Sequence, residues 1–342
     1  MVNFKSTILV LTLVFGMSNL SFSQASVEHM NELSTSFAEL KNDTWKYLRT
    51  ITKGKSARKS ENKRIQLIEQ YATQISVVEA MKPHEGDASL KEATLKYLNL
   101  SESVLREDYE NIVDMEAVAE ESYDAMEAYI LANKRANEKL TNAFEELKEV
   151  EKAYAANNNI TLTESEKDRK SQKIEQAADM LNYYNKVYLI FFKVYKQEAY
   201  ALVAQQTEDI AAFEQNVNAL SIEADEALAK LDTMSAYNGD KEIIAAAKKA
   251  IEFYKNEAEK EFPKISDFYI KKDNFEKANE IMEAKKKKDR TQEDVDKFNK
   301  AVNEYNEAAN SINQTNEDLN KARSKMLDEW NKSVEAFYKV HS

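Results

Sequence analysis

The chain has 342 residues, with 60 acidic and 48 basic side chains, a formal net charge of −12 and no cysteine. The lack of cysteine excludes disulfides, thiolate metal ligands, a cysteine nucleophile and a lipidated cysteine. Four glycines and two prolines are too few for the tight turns of an all-β or β/α fold, whereas an apolar content of 43% is typical of folded proteins. These features favour an acidic, folded, helical protein.

Residues 1–23 have the layout of a secretory signal peptide. A segment with one lysine, Met1–Lys5, precedes the apolar run Ile8–Phe15, and the polar segment Ser18–Ser23 ends in small residues. An uncleaved anchor is disfavoured, because an apolar stretch of about 12 residues is shorter than the roughly 20 that a spanning helix needs. The most apolar later segment, Val187–Phe192, lies between two lysines, so no transmembrane segment is expected after cleavage. We therefore expect export to the periplasm or the cell surface.

The rest of the chain is predicted to be long helices. Between a few breaks, apolar residues recur at alternating spacings of three and four, which is typical of helices that pack side by side. We predict an all-α fold, an elongated bundle of long antiparallel helices, with Ser89–Ala156 as one helix. Capping boxes are predicted at Ser89 and Thr163, and Thr291 is predicted to cap the last helix. The predicted breaks are Thr52–Ser60, Lys82–Asp87, Ala156–Thr163, Ala236–Asp240 and Lys285–Thr291.

The sequence also indicates an internal repeat. Gly86–Asp87 matches Gly239–Asp240 at a spacing of 153 residues, and Phe191–Val194 matches Phe337–Val340 at a spacing of 146. The two spacings differ by one heptad, which keeps a helical seam in phase. The alternative is that any two amphipathic helices look alike. We predict two repeated halves, residues 24–163 and 164–342, which one continuous bundle could also contain.

An aromatic stretch is the strongest candidate for a specific site. Its side chains surround the helix, which predicts a central helix with neighbours on several sides. It could line an apolar ligand cleft, but ordinary core is the favoured interpretation because tyrosine replaces leucine throughout these seams. The candidate residues are Tyr184, Tyr188, Phe191, Phe192 and Tyr195.

Residues that carry catalytic or cofactor chemistry are sparse. The three histidines, His29, His84 and His341, have neither zinc-site nor Glu-x-x-His spacing, and we interpret them as unrelated surface residues. The glycines are isolated, so no phosphate-binding loop is predicted. We therefore predict no catalytic residues, no metal, no cofactor and no enzymatic activity.

Each of the charged segments of the sequence has two possible interpretations. Glu107–Glu127 holds nine acidic residues and no basic one, which suits either a cation or basic partner or, as we favour, a solvated face. Two basic segments could contact an anionic surface: Lys53–Lys59 with Lys63–Arg64, and Lys285–Lys288 with Arg290. We favour the interpretation that both are solvated loops. Neither interleaves aromatic with basic residues, so no nucleic-acid partner is expected.

The leader, the helices rich in Tyr, Asn, Lys and Glu, and the paired Gly-Asp turns together resemble exported all-helical surface proteins of Bacteroidota and spirochaetes. The resemblance spans the mature chain and implies a periplasmic or surface location without implying an activity. Many members are lipoproteins, whereas this chain lacks the lipidated cysteine.

Taken together, these patterns predict a non-enzymatic, exported scaffold or interaction module whose partner is another protein or an envelope component. The alternative is a periplasmic ligand-binding or chaperone-like protein that uses an apolar cleft near Tyr184–Tyr195.

Overall fold

A computed structural model of the chain describes residues 24–52, 57–162 and 169–341. These residues form helices and no β-strand, which confirms the predicted all-α class. The predicted signal peptide, residues 1–23, lies outside the described residues. The α-helices of the described part are α1 (Gln24–Thr52), α2 (Ala57–Ala80), α3 (Ser89–Ser103), α4 (Tyr109–Ala119), α5 (Tyr123–Asn157), α6 (Arg169–Gln206), α7 (Ile210–Thr233), α8 (Glu242–Asn256), α9 (Phe262–Ala284) and α10 (Gln292–His341).

Most helix ends fall where turn-forming residues predict them, but the expected single helix Ser89–Ala156 is wrong. A π-helical turn, Val104–Asp108, separates α3 from α4, and the residues at Glu120–Ser122 separate α4 from α5. The Ser122 hydroxyl accepts a hydrogen bond from the Ala125 N–H and so caps α5. A short polar turn without glycine or proline thus ends a helix here, which the sequence pattern did not indicate.

Two predicted caps have different outcomes. Thr291 caps α10 as expected: the Asp294 N–H donates to its hydroxyl at 3.1 Å, and the Thr291 N–H donates to the Asp294 carboxylate at 2.8 Å. The predicted capping box at Ser89 is wrong: Ser89 is already the first residue of α3, Ala88 before it provides no side-chain cap, and the Asp87 carboxylate accepts from the Ser89 N–H at 2.8 Å. The box predicted at Thr163 lies outside the described residues.

The described chain divides into two compact units. The first unit comprises residues 24–185 and 336–341, and the second comprises Lys186–Glu335. This division differs from the predicted halves, 24–163 and 164–342, since the end of the chain belongs to the first unit. Within the first unit α2 packs on α1 and α3, and α5 packs on α3 and α4; within the second, α7 packs on α8 and α9.

Each unit contains the same turn, helix and π-turn sequence. His84–Asp87 and Tyr237–Asp240 form matching turns, in which Gly86 (φ +87°) and Gly239 (φ +84°) occupy the left-handed region that glycine adopts most readily. A 15-residue helix follows each turn, and a five-residue π turn follows each helix: the first π turn is Val104–Asp108 and the second is Glu257–Glu261. The local structures lie 153 residues apart, as the repeat hypothesis predicts. A common origin of the two halves stays a prediction.

Two ion pairs show how the remaining helices of the two units correspond. Lys96 of α3 pairs with Glu146 of α5 at 2.6 Å, and Lys249 of α8 pairs with Glu329 of α10 at the same distance. This correspondence aligns α10 with α5 at a spacing of 183 residues, whereas the sequence comparison aligned it with α6 at 146. Equivalent inward-facing series are Asn133, Ala136, Leu140, Ala143 and Leu147 in α5, and Asn316, Leu319, Arg323, Met326 and Trp330 in α10.

Candidate functional site

The five candidate aromatic residues lie in or near the cores of the two units. Tyr184, in the first unit, packs edge-on against Tyr338 with ring centroids 5.1 Å apart. In the second unit, Phe191 stacks on Trp330 at 4.3 Å. Four of the five candidates are buried and Tyr195 is half-buried. None of them lines either of the two grooves described below.

A buried ionic cluster lies in the second unit, at the second π turn. Arg323 of α10 forms ion pairs with Glu198 of α6 and with Glu257, the first residue of that turn. Glu257 has no exposed surface and Glu198 retains 2%. Burying charge is unfavourable unless it is paired, so this arrangement is unusual for a helical core.

The cluster holds more acid than base. Burial raises the pKa of the Glu257 carboxyl well above its usual range, and the charge of Glu198 adds to that rise while Arg323 opposes it. Burial also raises the pKa of Glu198, which Arg323 counteracts. Two carboxylates beside one guanidinium would bury a net negative charge, which favours protonation of the pair and raises the pKa of both carboxyls.

The first unit has uncharged residues at all three corresponding positions. The alignment of the two turn, helix and π-turn segments matches Val104 to Glu257, and the alignment of α5 with α10 matches Leu140 to Arg323. Val104 and Leu140 are both buried. Thr44 corresponds to Glu198, because each buried residue of the α1 series lies the same number of positions before a buried residue of the α6 series. Those series are Leu33, Phe37, Leu40, Thr44 and Tyr47 in α1, and Val187, Phe191, Val194, Glu198 and Ala201 in α6.

Sequence analysis did not identify this cluster, although a signal was present. Arg323 occupies an inward position in the otherwise apolar or neutral seam of α10, where a charge needs a partner. Its partners are distant in the sequence: Glu198 of α6 precedes it by 125 residues and Glu257 of the π turn by 66. No local sequence pattern therefore connects the three residues.

A groove lies between α8 and α10 in the second unit. Its volume is about 330 Å³, within the range of small-molecule sites. One part of the lining is apolar and consists of Trp330, Met326 and the two alanines of α8, Ala246 and Ala250. The other part is polar and consists of Lys249, Glu329, Lys332 and Ser333.

A second, shallower groove of about 400 Å³ lies between α7 and α9 of the same unit. Its polar lining includes Glu214, Glu259 and Asp267, and Ile270 contributes an exposed apolar side chain. The acidic lining and the absence of an aromatic side chain from it make this groove the weaker candidate for an organic ligand.

Two of the three histidines meet in the first unit, so their interpretation as unrelated surface residues is wrong. The rings of His29 and His84 stack with centroids 5.7 Å apart, and His29 is only 8% exposed. The Ser26 hydroxyl lies 2.8 Å from His84 Nε2 and donates to the Asn158 side chain at 3.1 Å. Burial lowers the pKa of His29, and the neighbouring His84 lowers it further. Among the described residues no group of three or more His, Asp or Glu side chains is arranged to hold a metal ion.

The acidic run Glu107–Glu127 begins in the first π turn, spans α4 and ends at the start of α5. Asp108 pairs with Lys139 of α5 at 2.7 Å, and the Tyr123 hydroxyl donates to Glu127 at 3.0 Å. Burial raises the pKa of Glu116, and the nearby Glu120 adds to this. Part of the run is therefore paired or half-buried rather than a uniformly solvated face.

The two basic segments differ from each other. Residues 53–56 of the first lie outside the described residues, and Arg64 is buried: it pairs with Glu61 and donates to the carbonyl of Leu105 in the first π turn. Interpreting Arg64 as part of a solvated loop is therefore wrong. In the second segment Lys285 pairs with Asp294 at 2.7 Å, and Lys286–Lys288 are exposed.

No family model matches the chain, and no curated protein or solved structure is significantly similar to it. Within the described residues, no helix is both long and apolar enough to cross a bilayer.

Proposed function

We propose that this chain is an exported, non-enzymatic helical protein of the cell envelope that acts as a scaffold or interaction module. The leader pattern and the resemblance to exported surface proteins support the location. The buried helical cores of the two units support a mechanical or binding role, because they hold the outer faces of the helices in fixed positions.

The observation that carries this proposal is the hairpin formed by the end of α9 and the start of α10. Between Ile265 and Ala301 no described side chain is fully buried, although the seam contains aromatic residues. Phe275 stacks on Tyr305 at 5.1 Å and contacts Phe298 at 6.2 Å. Two helices alone leave such a seam half-covered, and a third helix would complete its burial.

The outer face of α9 indicates the chemistry of a partner. Ile270 and Ile281 are more than half exposed, and eleven residues are about three helical turns, so both lie on one face. The exposed lysines Lys286–Lys288 follow at the end of the hairpin. An acidic amphipathic helix of another protein matches this combination of apolar stripe and positive charge.

The proposal is tested by site-specific photocrosslinking in intact cells. A photoreactive residue at Ile281 should yield one protein adduct whose crosslinked peptide is an acidic amphipathic helix. The same residue at Glu276, exposed on another side of α9, is the matched control and should not. Equal labelling at both positions, or adducts that survive Ile270→Asp, would contradict the proposal.

A second candidate function is ligand binding, and the groove beside Trp330 is the observation that favours it. The five aromatic residues of the predicted cleft near Tyr184–Tyr195 do not line this groove, and four of them are buried. Ligand binding at this groove uses α8 and α10.

A further inference from the structure

The groove between α8 and α10 is lined by a small residue of α8 at a position where the first unit has a large one. Ala250 lines it, and the corresponding residue of α3 in the first unit is Tyr97. Tyr97 is buried, with its ring 5.8 Å from that of Phe37 and 5.7 Å from that of Phe144. Replacing a tyrosine with an alanine leaves space beside the helix, which protein interiors normally fill.

The inner wall of the groove is aromatic. Trp330 is 1% exposed and stacks on Phe191 at 4.3 Å, so its ring is held rigidly. Its indole N–H has no hydrogen-bond partner within the described part of the chain. An aromatic wall with apolar neighbours suits an apolar molecule.

The rim of the groove is positively charged, although the whole protein is acidic. The pKa of Glu329 is lowered first by its hydrogen bond with Lys249 and further by Lys325 and Lys332, so three lysines surround one carboxylate. The Lys249–Glu329 pair is solvent-exposed, with 70% and 38% of the two side chains accessible. Exposed pairs contribute little to stability, so another carboxylate can replace Glu329 at low cost.

We infer that this groove binds an amphipathic carboxylate, a molecule with an apolar chain or ring and one terminal carboxylate, such as a medium-chain fatty acid. The apolar body lies against Trp330, Met326 and the two alanines of α8, and the carboxylate pairs with Lys249 and Lys332. This assignment uses a different surface from the α9–α10 hairpin and does not depend on the scaffold proposal.

Tryptophan fluorescence tests the assignment directly. The chain has two tryptophans, so Trp45→Phe leaves Trp330 as the single indole reporter. Titration with decanoate should change its emission saturably. Decanol, the neutral analogue of equal chain length, should bind about tenfold more weakly, because a charge-assisted pair is lost.

Two variants locate the site. Ala250→Tyr, which introduces the residue found in the first unit, and Ala246→Leu, a smaller filling change, should each abolish the decanoate response while circular dichroism stays unchanged. Lys249→Gln with Lys332→Gln should remove the preference for decanoate over decanol. The inference is overturned if decanoate does not bind, if a folded filling variant binds it like the parent, or if decanol binds equally well.

Discussion

Arg323 and Glu257 form an ion pair inside the second unit, where Glu257 is the first residue of a π-helical turn and has no exposed surface. The corresponding residues of the first unit, Leu140 and Val104, are apolar and buried. The same chain therefore contains this packing arrangement with and without charge. A π turn is present in both units, so the turn itself does not require the charged residues.

We expect the cluster to be replaceable as a set but not singly. Arg323→Leu should cost about 3–5 kcal/mol in the free energy of unfolding, because it leaves buried carboxylates without a cation. The triple change Glu198→Thr, Glu257→Val and Arg323→Leu, which introduces the residues of the first unit, should lie within about 1 kcal/mol of the parent or be more stable. Urea denaturation measures both. A triple variant as unstable as Arg323→Leu would show that the charges are needed for folding.

The cluster also predicts how stability depends on pH. Burial raises the pKa of Glu257 in the folded protein, so the folded state holds a proton that the unfolded state releases. This stabilisation is complete below the ordinary glutamate pKa and is lost as pH rises toward and through the raised pKa, by up to about 1.4 kcal/mol per pH unit. Urea midpoints should therefore decline from pH 5 to pH 9. The triple variant should lack this contribution, and an identical decline in it would contradict the assignment.

The lowered pKa of His29 predicts that the stability of the fold falls as the pH falls, which is opposite to the effect of Glu257. Its pKa is lowered in the folded protein, first by burial and then by His84, so the unfolded state binds the proton more readily. Stability contributed by the neutral ring is present above the ordinary histidine pKa and is lost as pH falls through the lowered one. Between pH 7 and 5, His29→Gln should lose less stability than the parent. A variant that loses as much stability as the parent over this range would contradict the assignment.

Truncation of the aromatic core should be costly where burial is complete. Phe191→Ala removes a ring that stacks on Trp330, and we expect a loss of about 3–5 kcal/mol in the free energy of unfolding. Phe253→Ala, a half-buried phenylalanine of the same unit, is the matched control and should lose clearly less. Equal, small losses would mean that Phe191 borders open space rather than core.

The sequence was sufficient for the helical class because its signals are local. Scarce glycine and a sustained three-four spacing predict long helices, and Gly86 and Gly239 mark the turns that the structure shows. The breaks at Glu120–Ser122 and Thr207–Asp209 were missed, since neither glycine nor proline marks them. Both π turns were missed too, because their residues are ordinary helix formers such as Leu105 and Ala258.

The sites were harder to predict because they depend on contacts between distant segments. Glu198, Glu257 and Arg323 come from three separate helical segments, and only the charge of Arg323 in its seam gave a warning. The groove depends on Ala250, which looks like any other helical alanine until Tyr97 is recognised as its counterpart. His29 and His84 meet because α1 and the turn after α2 come together, which no spacing between them encodes.

Each π turn fixes the rotational phase of the helix that follows. A π turn holds one residue more than an α-helical turn, so removal of a single residue restores regular α-helix and rotates the downstream segment by about 100°. Ile112 and Ile265, buried after the two π turns, would then leave the core. A one-residue deletion inside Glu257–Glu261 would therefore destabilise the fold more than a one-residue deletion in the loop before α10. Nothing in the sequence distinguishes Glu257–Glu261 from the helix around it. The inserted residue therefore acts as a length constraint on each of these two segments.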